Sequence, residues 1–206
     1  MSRFSLNFTN SKQNLDIKNI TPITFDKNKN FYICSSGGCG STVIFHYLSL
    51  FGNAYHIHDR FPPNKLTYIG KQHTNEEVYN EWFNSVEIPE DKLQNYKVIF
   101  IYRNPIHVIF SRYAQKYGPN VEHLKHIKCD NNGNINIYDV LNTGRDLYKM
   151  EEFFDNYTIN KERNYDIYCI KYELFWDNIA LFNKIMDIIE EFEGVDNPYD
   201  IEYQEI

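Results

Sequence analysis

Phe31-Tyr32-Ile33-Cys34 is an unbroken apolar run of the length expected for a strand covered on both faces. A Gly/Ser stretch, 35–42, follows at once. From Thr42 to Phe51 the apolar residues Val43, Ile44, Tyr47, Leu48 and Phe51 recur at the spacing of one helical face, and Gly52-Asn53 closes the segment. Lys97 to Tyr102 repeats the logic as a second buried strand with Arg103 at its end. Asn104 is placed to cap a helix whose first turn opens on Pro105, and Val108, Ile109 and Tyr113 carry it toward the stop signal Gly118-Pro119. Tyr165 to Ile170 reads as a third strand, and the spacing from Ile179 to Phe192 predicts a final amphipathic helix. Strands alternating with helices predict an α/β fold, a mainly parallel sheet flanked by helices and joined by right-handed crossovers. Such sheets bind ligands at the carboxyl ends of their strands, where both 35–42 and 103–105 fall.

Charge narrows the partners. The chain of 206 residues carries a net charge of -7, and residues 187–206 hold eight acidic side chains with no Lys or Arg. The remainder, with 21 basic and 20 acidic residues, is nearly neutral. That distribution argues against a broad basic surface for nucleic acid but leaves room for a local pocket that takes a small polyanion. No internal repeat or long linker divides the chain, so a single domain over 1–206 is expected, with 1–28 a polar, irregular lead-in and 187–206 a solvated acidic tail. There is no run of eighteen apolar residues and no apolar leader, which predicts a cytoplasmic protein with no membrane partner. Cys34, Cys39, Cys129 and Cys169 lack metal-binding spacing and fit reduced thiols, so no metal is expected. Oligomeric state is not legible.

Ser35-Ser36-Gly37-Gly38-Cys39-Gly40-Ser41-Thr42 has the makings of a phosphate cradle. Glycines let the backbone wrap an anion, free N–H groups point inward, and the following helix presents its positive end. A tight strand-to-helix turn without a ligand is the plainer reading. A nucleotide triphosphatase loop would need Gly at 35 and Lys at 41, where this chain has Ser35 and Ser41, and ATP hydrolysis is disfavoured.

The stretch Tyr102-Arg103-Asn104-Pro105-Ile106-His107-Val108-Ile109-Phe110-Ser111 resembles the sulfotransferase family, which carries an Arg-Asn/Asp-Pro opening after a buried strand and a Ser eight residues beyond the Arg. Gly40-Ser41-Thr42 is similar to the family's 5′-phosphosulfate loop, Lys71-Gln72-His73 to its Lys-Thr-His, and Lys171-Tyr172-Glu173-Leu174 to its late Tyr-Glu-x-Leu. The resemblance implies a P-loop nucleotide-binding-like three-layer sandwich using 3′-phosphoadenosine 5′-phosphosulfate (PAPS) as co-substrate. It further implies donor binding by Gly37, Gly38, Cys39, Gly40, Ser41, Thr42, Arg103 and Ser111, the last two on the 3′-phosphate, and catalysis by His73 as base, with Lys71 the candidate to replace the loop cation that Gly38 lacks. His56, His58 and His107 are rivals for the base, and Glu173 reads better as a helix-capping carboxylate than as a catalyst.

Two departures keep alternatives open. The family places Lys or Arg where this chain has Gly38, and its basic C-terminal closing loop has no counterpart in the acidic end. A sulfotransferase-like nucleotide binder without turnover is therefore a second reading, and a P-loop kinase a third. The acceptor is a small molecule, carbohydrate or peptide bearing a hydroxyl or amine. Residues 53–70 are placed to wall its site and 114–145 to form a lid.

Overall fold

The computed structural model describes residues 24–69, 82, 86–114, 124, 128–159 and 162–188. Strand β1 (Asn30–Cys34) leads through the glycine loop into helix α1 (Ser41–Leu48) and then β2 (Asn53–Ile57). Further on come β3 (Tyr96–Tyr102), α2 (Pro105–Tyr113), α3 (Ile137–Thr143), α4 (Met150–Thr158), β4 (Ile167–Lys171) and α5 (Ile179–Ile185). The four strands form one all-parallel sheet in the order β2-β1-β3-β4. The α/β class expected from the alternation is thus what the chain adopts.

Both faces of the two central strands are buried, which is why β1 and β3 read as continuous apolar runs rather than alternating ones. Tyr32, Cys34, Val98 and Phe100 point to one face and pack with Phe153 and Tyr157 of α4. There the Phe100 and Tyr157 rings stack with centroids 4.5 Å apart and planes 15° from parallel. Phe31, Ile33, Ile99 and Ile101 point to the other face, against Ile44 and Leu48 of α1, Val108 of α2 and Ile179 and Phe182 of α5. Helices therefore cover both sides. Among the described residues, no helix is long and apolar enough to cross a membrane.

Element boundaries differ from the pattern where local bonds intervene. Helix α1 stops at Leu48 because the chain turns through Leu50 N–H to Tyr47 O and Phe51 N–H to Leu48 O. Strand β4 begins at Ile167 instead of Tyr165, whose hydroxyl is held by Pro63 O at 2.6 Å. Helix α2 caps at Ala114, and the span toward Gly118-Pro119 lies outside the described residues, as does 189–192 of the last predicted helix. Strand β2 and helices α3 and α4 have no counterpart in the periodicity reading. Part of the span expected as a lid is α3, opened by a reciprocal capping box between Asn136 and Asp139.

Candidate functional site

The strand order fixes where a ligand can enter. From β1 the chain crosses to β2 on one side, and β3 then pairs on the other, so the connections diverge between β1 and β3. A crevice at the carboxyl ends of the strands opens at such a switch point. The loop after β1 and Arg103 after β3 lie on its two sides, with Cys34, the last residue of β1, in register with Phe100 of β3.

Three glycines shape the loop, Gly37, Gly38 and Gly40, with φ of 82°, 70° and 78°. At Gly40 the requirement is twofold. Its backbone is left-handed, and a methyl built on it would lie 2.2 Å from Cε2 of Tyr172. Gly38 faces α2, where a Cβ would stand 3.3 Å from Cγ1 of Val108 and 3.6 Å from Cγ of Arg112. Gly40 is also the N-cap of α1, and no side chain caps that helix and no acidic residue occupies its first turn. The positive end of α1 is therefore left for something else to satisfy.

Beneath the loop runs a chain of hydroxyls and imidazoles. Ser35 Oγ lies 2.8 Å from Ser41 Oγ, which shares a 2.8 Å hydrogen bond with His56 Nε2. His58 Nδ1 donates to Ser35 O at 2.7 Å, and the two imidazoles sit with centroids 4.3 Å apart. Burial, with a smaller contribution from His46, lowers the pKa of His56 to about 4, so its ring is neutral near pH 7. Burial raises the Cys39 thiol, although a hydrogen bond with Ser36 and the charges of Arg112 and Arg103 oppose the rise. Both guanidiniums thus act on the centre of the loop.

The second half-site is self-capped. Asn104 Oδ1 accepts from Ile106 N–H at 2.9 Å, Pro105 fills the first turn, and Glu173 Oε1 accepts from Asn104 N–H at 2.9 Å. The same oxygen is 3.3 Å from His107 Nδ1 and 3.9 Å from Arg103 Nε. Burial alone would raise the Glu173 pKa, but the Asn104 N–H, its own backbone N–H and His107 outweigh it, and the carboxyl is held below its usual range. Arg103 also spreads over the Tyr172 ring, 5.2 Å from its centroid. Tyr172 therefore touches both halves, its ring packed against Gly40 and lying under the Arg103 guanidinium.

The loop and Arg103 both meet Tyr172, and Glu173 beside it reaches Arg103 and the Asn104 N–H. Ser111 lies two turns into α2, partly buried. Thr42 is exposed at the start of α1, whereas the Ser41 hydroxyl is buried and engaged with Ser35 and His56. Lys71 and His73 fall outside the described residues. Of the rival histidines, His56 and His58 lie under the loop and His107 is half exposed beside Glu173. Sequence reasoning missed Arg112. Its side chain is 3% exposed, it donates through Nη2 to Ser36 O, and its guanidinium carbon is 5.3 Å from the Tyr148 ring centroid. Its signal was a charge on the same face of α2 as Asn104 and Val108, at i, i+4 spacing.

Comparison of the chain with protein-family models, with curated proteins and with solved structures finds no match.

Proposed function

We propose that the chain binds an adenosine nucleotide carrying separated anionic groups and transfers the sulfuryl group of PAPS to a hydroxyl or amine acceptor. The observation that carries this reading is the convergence of two unlike anion-binding elements on one tyrosine: an uncapped helix start whose Gly40 packs against the ring, and a guanidinium 5.2 Å from the same ring's centroid. Backbone amides of 38–42 with the exposed Thr42 would take the 5′-phosphosulfate, and Arg103 with Ser111 the 3′-phosphate. In the reaction the acceptor oxygen or nitrogen bonds to sulfur as the sulfur–oxygen bond to the 5′-phosphate breaks. The acceptor proton passes to a base, by resemblance His73, and the 5′-phosphate leaves with the electron pair.

The test has two stages. 3′-Phosphoadenosine 5′-phosphate should raise the melting temperature more than ATP at equal concentration, because stabilisation grows with occupancy of the native state. Radiolabelled sulfate from PAPS should then reach at least one acceptor in a mixture of phenols, sugars and peptides. Binding without transfer to any of them would favour the second reading, a nucleotide binder without turnover. Gly38 supports that reading, since the position where the family carries a cation faces α2. Stronger protection by ATP would favour a kinase.

A further inference from the structure

We propose that Arg112 serves as the cation of the loop, acting from α2 as a positioning residue that holds the Ser36 carbonyl and adds positive charge behind the anion site. The inference rests on the reading of the loop as an anion cradle and goes beyond it, because no resemblance assigns a role to this position.

Three observations bear on it. Arg112 is almost wholly buried, and its Nη2 donates to the carbonyl oxygen of Ser36, two residues before Gly38. A backbone carbonyl fixed toward α2 leaves the peptide groups that follow it free to turn their N–H groups to the other side, where a ligand would lie. A side chain at 38 would also project toward the Val108 and Arg112 face of α2, with its Cβ 3.3 Å from Cγ1 of Val108 and in ordinary contact, 3.6 Å, with Cγ of Arg112. Arg112 therefore brings a positive charge to the side of the loop on which a residue at 38 would lie. Finally, the charge of Arg112 opposes the rise in the pKa of the Cys39 thiol, so it favours negative charge at the middle of the loop. A phosphate or phosphosulfate bound there would be favoured in the same direction. The guanidinium suits the task better than an ammonium would, since its carbon stands over the Tyr148 ring while Nη2 donates to the carbonyl.

The experiment uses the full chain and its Arg112→Gln and Arg112→Lys variants, titrated calorimetrically with adenosine 5′-monophosphate and with 3′-phosphoadenosine 5′-phosphate at two salt concentrations. Gln keeps one donor for Ser36 O and removes the charge; Lys keeps the charge and loses the planar fork. A unit charge several ångströms from the anion at intermediate dielectric is worth about ten-fold in affinity or more. Arg112→Gln should therefore weaken both ligands by about ten-fold and flatten the salt dependence, while Arg112→Lys stays within about three-fold of wild type. Arg103→Gln, as a control, should weaken the doubly phosphorylated ligand selectively. If both Arg112 variants melt earlier yet bind with wild-type affinity and salt dependence, the residue is structural and the inference is overturned. Should Arg112→Gln fail to fold, Arg112→Lys still decides: loss of affinity equal to that of Arg103→Gln, or greater, counts against a charge effect. If wild type binds neither ligand, the anion-cradle reading itself fails and this proposal falls with it.

Discussion

Replacing Gly40 by Ala tests the junction of the two half-sites directly. A φ of 78° costs a residue with a Cβ about 1–2 kcal/mol. The added methyl would also meet Cε2, Cζ and Cδ2 of Tyr172 at 2.2, 2.5 and 2.6 Å, so the ring must move, and overpacking of this kind costs about 1–3 kcal/mol. The sum is about 2–5 kcal/mol, a fall in melting temperature of about 5–15 °C for a chain of this size. Gly144 supplies an internal control, because its φ is 60° and a Cβ there meets nothing within 4 Å. Gly144→Ala should show the backbone cost alone. Urea unfolding followed by far-UV circular dichroism would measure both, and a cycle with Tyr172→Ala should recover the steric part as a coupling of about 1–3 kcal/mol. A Gly40→Ala chain no less stable than Gly144→Ala, or zero coupling to Tyr172, would refute the contact and with it the claim that one tyrosine joins loop and guanidinium.

Further expectations concern protons, the core and the thiols. His56 has a folded pKa of about 4 against an ordinary 6.5, so the unfolded chain takes up its proton first as pH falls. Its contribution is present above pH 6.5 and is lost on descent toward pH 4, at most on the order of 3 kcal/mol; His56→Gln should flatten that acid limb in urea titrations. Phe153→Ala empties a site in the aromatic stack against Phe100 and Tyr157 and should cost about 3–5 kcal/mol by the same assay. Cys169 is exposed while Cys34, Cys39 and Cys129 are buried, so native protein should take up one equivalent of maleimide ahead of the others, at a rate slowed by the desolvation that raises the Cys169 thiol, and four after denaturation, counted by mass spectrometry. Fast labelling of more than one thiol in the native state would contradict the packing of the loop and sheet.

The parts of this fold that could be read from sequence are those whose cause is contiguous. Phe31 to Cys34 and Lys97 to Tyr102 announce themselves because strands covered on both faces are apolar throughout, and Asn104-Pro105 marks a helix start through its own cap and fixed φ. Strand β2 was not legible for the converse reason. Asn53 and His56 interrupt its apolar character, and His56 is held there by groups distant in sequence, Ser41 at its Nε2 and Phe45 stacked on its ring. Helix α4 hides its buried pair, Phe153 and Tyr157, among Glu151, Glu152, Asp155 and Asn156.

The site divides along the same line. Its loop and its arginine were visible as local patterns, but what joins them was not, because Tyr172 acquires meaning only when β4 delivers it beside both. Arg112 shows the principle most sharply. On α2 it continues the buried face of Val108, where a helix packed on a sheet would place an apolar side chain, and a charge at such a position costs desolvation unless something nearby uses it. Here the nearby groups are the Ser36 carbonyl, the Tyr148 ring and the loop itself. A break in the apolar stripe of a helix, read together with a glycine loop one strand away, is thus a signal that local pattern alone would count as noise and that packing turns into chemistry.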